Sequence, residues 1–372
     1  MQRLINIFKH NYFFHAYTLK NARNDYTMWF NILDEAFAYL KNNITDRKYK
    51  NLTTKLTAMA DIIYPDFHPV YNEDSPDQFT KENARLNEPL YPAMLDILKY
   101  IDKIMWKTIK ETKVPFINGT YHDGDFVLTK LISFEKTVSV PGYCKFIDNN
   151  CLYLCKNMEE LIFEEGVKSI QTPVGKSNRQ KLKKVVFPST TEYIALHSFT
   201  ECKNLEEVVF LSNDTDFSYC SFEETKWFKN YMEENNHKGM HILAGTLFYY
   251  DGEDKELFIP DGVKNIGDFS LKGCSFENIH FPTDLKNIGI HTFYGCINLK
   301  KVIIPDQVST IGYCFQGCRS LKTVYLPEHT QIVAITDTFY GCHPQFTIYG
   351  YRNNKSMRYI AENSCYNYKF LD

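Results

Sequence analysis

Six cysteines recur in one local context. Cys155, Cys202, Cys274, Cys296, Cys318 and Cys342 each follow an aromatic or leucine position by three or four residues, and the pentapeptide TFYGC stands at both 292–296 and 338–342. Thiols in such a pattern could bind metal, pair as disulfides or carry redox chemistry. Metal sites need converging ligands, whose usual signature is two close pairs. The separations here, 47, 72, 22, 22 and 24, instead place the thiols at one phase of a repeat, and equal phase in stacked repeats makes a ladder. Rungs about 4.8 Å apart lie within disulfide reach, but in-register Cβ vectors point the same way and disfavour the crossed geometry. The expected role is structural: free, small, apolar thiols filling a tight interior bend. Cys151/Cys155 and Cys314/Cys318 look like CxxxC pairs, and packing is the expected role there as well.

The other candidates are thinner. His122, Asp123 and Asp125 in YHDGDF could open a cation loop, but the remaining ligands and the terminal Glu of a Ca²⁺ loop are missing, and Asp-Gly is a turn dipeptide. His10 and His15 lie five apart, a poor spacing for one helical face. Asp66 and His68 sit in a proline-punctuated loop with no nucleophile near in sequence. There is no HExxH, GxSxG, phosphate-binding loop or dinucleotide fingerprint. No catalytic, cofactor-binding or metal-binding residue is therefore expected. An enzyme with an unrecognised site in the helical part of the chain is the alternative.

Composition narrows the classes. In 372 residues the net charge is −3, with no basic stripe to suggest nucleic acid. No run approaches the roughly 18–20 apolar residues of a membrane helix. The N-terminus, MQRLINIFKHNYFFHAYTLK, is a poor signal peptide. An intracellular, reducing setting is expected, with most of the 11 cysteines free. Aromatic residues are the one excess, at 15%, as flat packing layers would require.

Two kinds of periodicity position these residues. Before about residue 115 the spacing is helical. Trp29, Ile32, Leu33, Ala36, Phe37 and Leu40 fall on one stripe, and Tyr49, Leu52, Leu56, Met59 and Ile63 on a second. PAMLDILKYIDKIMWKTIK gives a third, with Pro92 suited to a first helical turn. A shorter helix is expected within the first 20 residues. The reading is an α-helical domain over 1–115, then a hairpin or cap over 116–137, suggested by NG at 118–119 and DG at 123–124.

From 138 onward a strand-like Val-x-Ile core recurs. It falls at Val138–Val140, Leu161–Phe163, Val185–Phe187, Val208–Phe210, Leu257–Ile259, Ile279–Phe281, Val302–Ile304, Val324–Leu326 and Phe346–Ile348, in steps of 23, 24, 23, 49, 22, 23, 22 and 22. A period of 22–24 with one short strand per unit predicts a solenoid, because a single unit cannot bury enough apolar surface alone. Stacking would form a parallel sheet on one face. The step of 49 is two units with an insertion at about 214–250. The fold class is α+β: a small all-α domain followed by a repeat solenoid over 138–372.

IGIHTFYGCINLKKVIIPDQVSTIG (288–312) resembles the BspA-like leucine-rich repeat family nearly position for position. Residues 225–267, with a Trp-containing helix and a hairpin, resemble the family's recurrent insertion, and 346–370 its usual last turn. The resemblance covers about 138–370; residues 1–115 carry none. It implies a non-catalytic, adhesive or protein-binding surface, often displayed outside cells, which makes the cell surface the alternative location.

The residue between the two buried strand positions must point outwards. Along the stack this column reads Ile162, Val186, Val209, Phe258, His280, Ile303, Tyr325 and Thr347. So apolar an exposed stripe marks an interaction site unless the helices or the insertion cover it. Beside it, Glu159/Glu160, Lys183/Lys184 and Glu206/Glu207 alternate by rung, which pairs opposite charges between strands. The expected function is a recognition or scaffold module binding a protein partner through the stripe, without cofactor, nucleic acid or membrane insertion. The sequence leaves the oligomeric state open. A structural subunit of a larger assembly, docked through the helical domain, is the alternative.

Overall fold

The computed structural model describes residues 33–63, 91–175, 178–235, 238–363 and 366–372. The chain divides into two compact units, Met1–Asn118 with Leu131–Phe134, and Gly119–Lys130 with Glu135–Asp372.

In the first unit, α1 (Leu33–Asn43), α2 (Asp46–Ile63) and α3 (Tyr91–Thr112) pack on one another. Their three-and-four spacing brings Ala36, Phe37, Leu40, Leu52, Leu56, Ile97, Ile101, Met105 and Ile109 into a common core. Pro92 falls in the first turn of α3, where a missing N–H breaks no intrahelical bond. The Tyr39 hydroxyl donates to the Val114 carbonyl at 2.6 Å, tying α1 to the chain beyond α3. The expected early helix, Trp29, Ile32, His10, His15, Asp66 and His68 lie outside the described residues.

β1 (Phe116–His122) and β2 (Asp125–Ile132) form a hairpin turned by Asp123 and Gly124, at φ 50° and 89°. Two successive positive φ values are what a two-residue hairpin turn demands. The NG dipeptide makes no turn. It lies inside β1, where a Cβ on Gly119 would stand 2.1 Å from the Val127 carbonyl oxygen, so close backbone approach explains the glycine.

Coils follow, each adding a main strand and a second strand that is no longer than it. They are β3 (Thr137–Val140) with β4 (Cys144–Ile147), β5 (Glu160–Phe163) with β6 (Ser169–Ile170), and β7 (Lys184–Phe187) with β8 (Tyr193–Ile194). β9 (Glu207–Phe210) leads into helix α4 (Lys226–Glu234) and the antiparallel hairpin β10 (Met240–Leu243) and β11 (Thr246–Tyr250). Coils resume with β12 (Glu256–Phe258) and β13 (Asn265–Ile266), β14 (Asn278–His280) and β15 (Asn287–Ile288), β16 (Lys301–Ile303) and β17 (Thr310–Gly312), and β18 (Thr323–Tyr325) and β19 (Gln331–Val333). α5 (Ile335–Thr338), β20 (Thr347–Gly350), α6 (Lys355–Asn363) and β21 (Asn367–Phe370) complete the stack.

The main strands form a four-stranded sheet, β3-β5-β7-β9, and a six-stranded sheet, β12-β14-β16-β18-β20-β21. The expected parallel sheet is there, and a second strand column accompanies it. β4-β6-β8, β11-β13-β15 and β17-β19 also pair in parallel. Val302, Val324 and Ile348 of one column are buried with Ile266, Ile288 and Ile311 of the other, so each coil closes its core between two sheet faces. Aromatic rings fill it: Phe293 stacks on Phe315 at 5.1 Å, and Phe315 on Phe339 at 5.8 Å.

The insertion interrupts only one of these faces. Thr225 caps α4 by accepting the Phe228 N–H at 3.1 Å, and the Trp227 N–H donates to Leu205 at 2.7 Å, so a helix begins where the next main strand would start. On the other face Asp216 bridges Tyr193, Thr215 donates to Ala244 at 3.0 Å, and β11 pairs with β13. The hairpin thus supplies the second face with a strand while the main face has none.

Candidate protein-binding face

The outward residues of the main strands stand in register in two columns. Ile162, Val186 and Val209 align in the four-stranded sheet. Phe258, His280, Ile303 and Tyr325 align in the six-stranded one. The sequence reading placed all seven on one continuous stripe, but the helical insertion separates the sheets. The last rung also differs. Tyr325 aligns with Tyr349, and Thr347 with Thr323, so the final core is Ile348–Gly350 and Thr347 leaves the column. Phe346, itself apolar and buried, occupies the preceding turn and imitates the strand pattern two residues early.

The two columns differ in character. Ile162, Val186 and Val209 are half-buried, whereas Phe258 is 59% and Ile303 56% exposed. In the six-stranded sheet the rings of Phe258 and His280 stack at 4.3 Å and 4°, and those of Tyr325 and Tyr349 at 4.7 Å and 18°. These spacings match the strand separation of about 4.8 Å, so the sheet itself holds the rings face to face. The Lys301 ammonium lies 4.9 Å from the Tyr325 ring centre. The column continues to Lys369.

Charges at the strand starts pair across rungs. Glu159 takes Lys136 at 2.7 Å and Lys183 at 2.9 Å; Lys184 meets Glu207 at 2.8 Å, Lys226 meets Glu206 at 2.8 Å, and Lys300 meets Glu277 at 2.5 Å. Hydrogen bonds from Lys136 and Lys183 hold the Glu159 carboxyl down at about 2. At the strand ends the chain turns alike in each coil, Val263, Leu285 and Val308 donating to Pro260, Pro282 and Pro305. Asp261, Asp284, Asp306 and Glu328 are exposed there.

All ten described cysteines are free thiols. In the ladder, Cys296 donates to the Leu271 carbonyl at 3.0 Å, Cys318 to Phe293 at 3.1 Å and Cys342 to Phe315 at 3.4 Å. Each acceptor lies one coil back, so the thiols tie rung to rung. Burial pushes Cys202, Cys274, Cys296 and Cys342 up to about 12, and Cys318 higher still. Cys155 and Cys202 are buried, and Cys274 is partly exposed. The rung between Cys155 and Cys202 belongs to Asn178, which the sequence reading missed. Its amide donates to the Leu152 carbonyl at 2.6 Å, the position that the thiols use elsewhere. The repeat phase was the available signal, and a different residue type hid it.

Two carboxylates are also unusual. Burial, reinforced by the charges of Asp268 and Asp214, pushes Asp216 up to about 7. Burial raises Asp268 to about 6 although its carboxylate accepts the Ile290 N–H at 2.6 Å. Among the described residues no three His, Cys, Asp or Glu side chains converge to hold a metal ion, and no helix is long and apolar enough to cross a membrane.

The family signature described as "BspA type Leucine rich repeat region" matches residues 124–238 and 242–369, in six copies. Comparison with curated proteins gave no match. Similar solved structures include a leucine rich cell surface protein from Faecalibacterium prausnitzii, 16% identical over 59% of this chain and 80% of that one, with a TM-score of 0.29. A leucine-rich repeat protein from Bacteroides ovatus is 17% identical over 69% and 98%, with a TM-score of 0.26. The leucine-rich repeat protein of T. pallidum is 16% identical over 68% and 96%, with a TM-score of 0.23.

Proposed function

The chain belongs to the BspA-type leucine-rich-repeat family, and from that premise we propose that it binds a protein partner, without catalysis, through the outward column of its six-stranded sheet. The observation that carries this reading is the exposure of Phe258 and Ile303 at 59% and 56% within one in-register stripe. Apolar side chains held side by side in water favour a partner that removes them from it. Stacked rings fixed by strand spacing also lose little freedom on binding. Replacing Phe258, Ile303 and Tyr325 together by Ser tests the reading in affinity purification from the native organism, with mass spectrometry as the readout. The triple variant is expected to lose specific partners while keeping its thermal unfolding profile. Retention of the same partners sinks the reading.

A second reading is a subunit of a larger assembly docked through the helical unit. It is favoured by the packing of α1, α2 and α3 on one another within a unit of their own. Deleting residues 1–112 separates the two: partner capture persists under the first reading, and incorporation into the assembly is lost under the second.

A further inference from the structure

Resting on the binding role proposed above, we infer that the six-stranded face takes a basic amphipathic α-helix of its protein partner. The helix lies along the stack, its apolar side on the stripe and its lysines or arginines over the acidic strand ends.

Strands β14, β16, β18 and β20 are each paired on both sides. The middle of the face therefore offers side chains and no unpaired backbone, so an extended peptide has no edge to join there and the partner must meet it with side chains. Spacing favours a helix. One rung is about 4.8 Å and one helical turn about 5.4 Å, so one apolar residue per turn meets one rung. Phe258 to Tyr349 spans four steps, about 19 Å, which a helix of about 13 residues covers with a mismatch of only about 2 Å.

Charge sets the helix's flanks. Asp261, Asp284, Asp306 and Glu328 are exposed, one per coil just beyond the strand ends, and none makes an ion pair among the described residues. In the four-stranded sheet neighbouring rungs alternate sign and pair, as Glu159 does with Lys136 and Lys183. Like charges on successive coils are unfavourable for stacking, so this margin suits a cationic partner. The opposite margin is net basic: Lys300 is held by Glu277, but Lys301 lies over Tyr325 with its charge intact, and Lys255 and Lys322 are exposed. The partner helix is therefore basic on the flank over the strand ends and neutral or acidic on the other.

The test uses three synthetic 15-residue probes and fluorescence anisotropy on the full chain. Two are helical peptides with an identical leucine face, one flanked by lysine and one by glutamate; the third is the lysine peptide broken by prolines. The lysine helix is expected to bind at least tenfold more tightly than either of the others, and less tightly as salt rises. D306K/E328K is expected to weaken it at least tenfold, and D306N/E328Q, which keeps size and shape, to weaken it less. Equal binding of the glutamate or proline-broken probe overturns the inference, as does indifference to D306K/E328K with an unchanged thermal melt. If the charge variants then leave the native partners of the chain in place while F258S/I303S/Y325S removes them, the binding role stands and only the helix assignment falls. Self-association that the triple serine variant abolishes, seen by sedimentation, would make a second copy the occupant and also overturn it.

Discussion

Asn178 and the ladder cysteines answer the same need. A coil that bends every few residues turns carbonyls inward, away from their own segment, and a buried carbonyl without a donor is costly. Cys296, Cys318, Cys342 and Asn178 each donate to the coil before. Asn178→Leu should therefore destabilise the protein by about 1–3 kcal/mol, and Asn178→Cys by less; urea unfolding measures both. The raised thiols should resist Ellman's reagent at pH 8 in the native state, whereas all 11 cysteines react after unfolding. Prompt reaction of Cys202, Cys296 or Cys318 in the native protein would contradict their burial. For Asp216 and Asp268, raised to about 7 and about 6, the sign is opposite to that of an ordinary paired carboxylate. From about pH 4 to 7 the folded state keeps protons that the unfolded chain has released, so stability falls as pH rises through that window. Asp216→Asn should narrow the difference in melting temperature between pH 5 and pH 8 and raise the value at pH 8. The cysteine phase was plain in the sequence. Asn178 and these two aspartates were not, because their environment comes from neighbouring coils and their residue types suggest surface turns.

At the level of elements, the main strands were legible because their apolar residues alternate and a proline often follows. The second strands were not, since β6, β8, β13 and β15 have two residues each, too few to show alternation. The 49-residue step announced an insertion, but only the structure shows that it breaks one face and continues the other. Phe346 misled the register for a related reason: burial in a turn and burial in a strand leave the same apolar mark. Leu299 is buried between Cys296 and β16 in the phase shared by Leu321. Leu299→Ala should cost about 2–5 kcal/mol, read as a lower urea midpoint. Lys184→Glu, which sets like charges beside Glu160 and Glu207 on the adjoining strands, should cost less than 1 kcal/mol because such pairs are exposed, and the difference should shrink in 1 M salt.

For the whole molecule, the repeat period was enough to give a helical part followed by a solenoid, because stacking is a nearest-neighbour property written into every unit. The outward stripe was legible as a list of residues and not as a surface. Its division into two columns depends on α4, and the face-to-face rings depend on strand spacing that no single unit contains. Within each half of the solenoid, a core substitution such as Leu299→Ala should lower protection across neighbouring coils together, which hydrogen exchange would detect as a block of amides moving in concert.

The break between β9 and β12 also bears on how such a protein can change over generations. Ile162, Val186 and Val209 belong to one sheet, and Phe258, His280, Ile303 and Tyr325 to another, so a mutation that remodels one set need not alter the rung spacing of the other. The chain thus carries two independently mutable surfaces on one backbone. One can be altered in shape or charge while the other keeps its own.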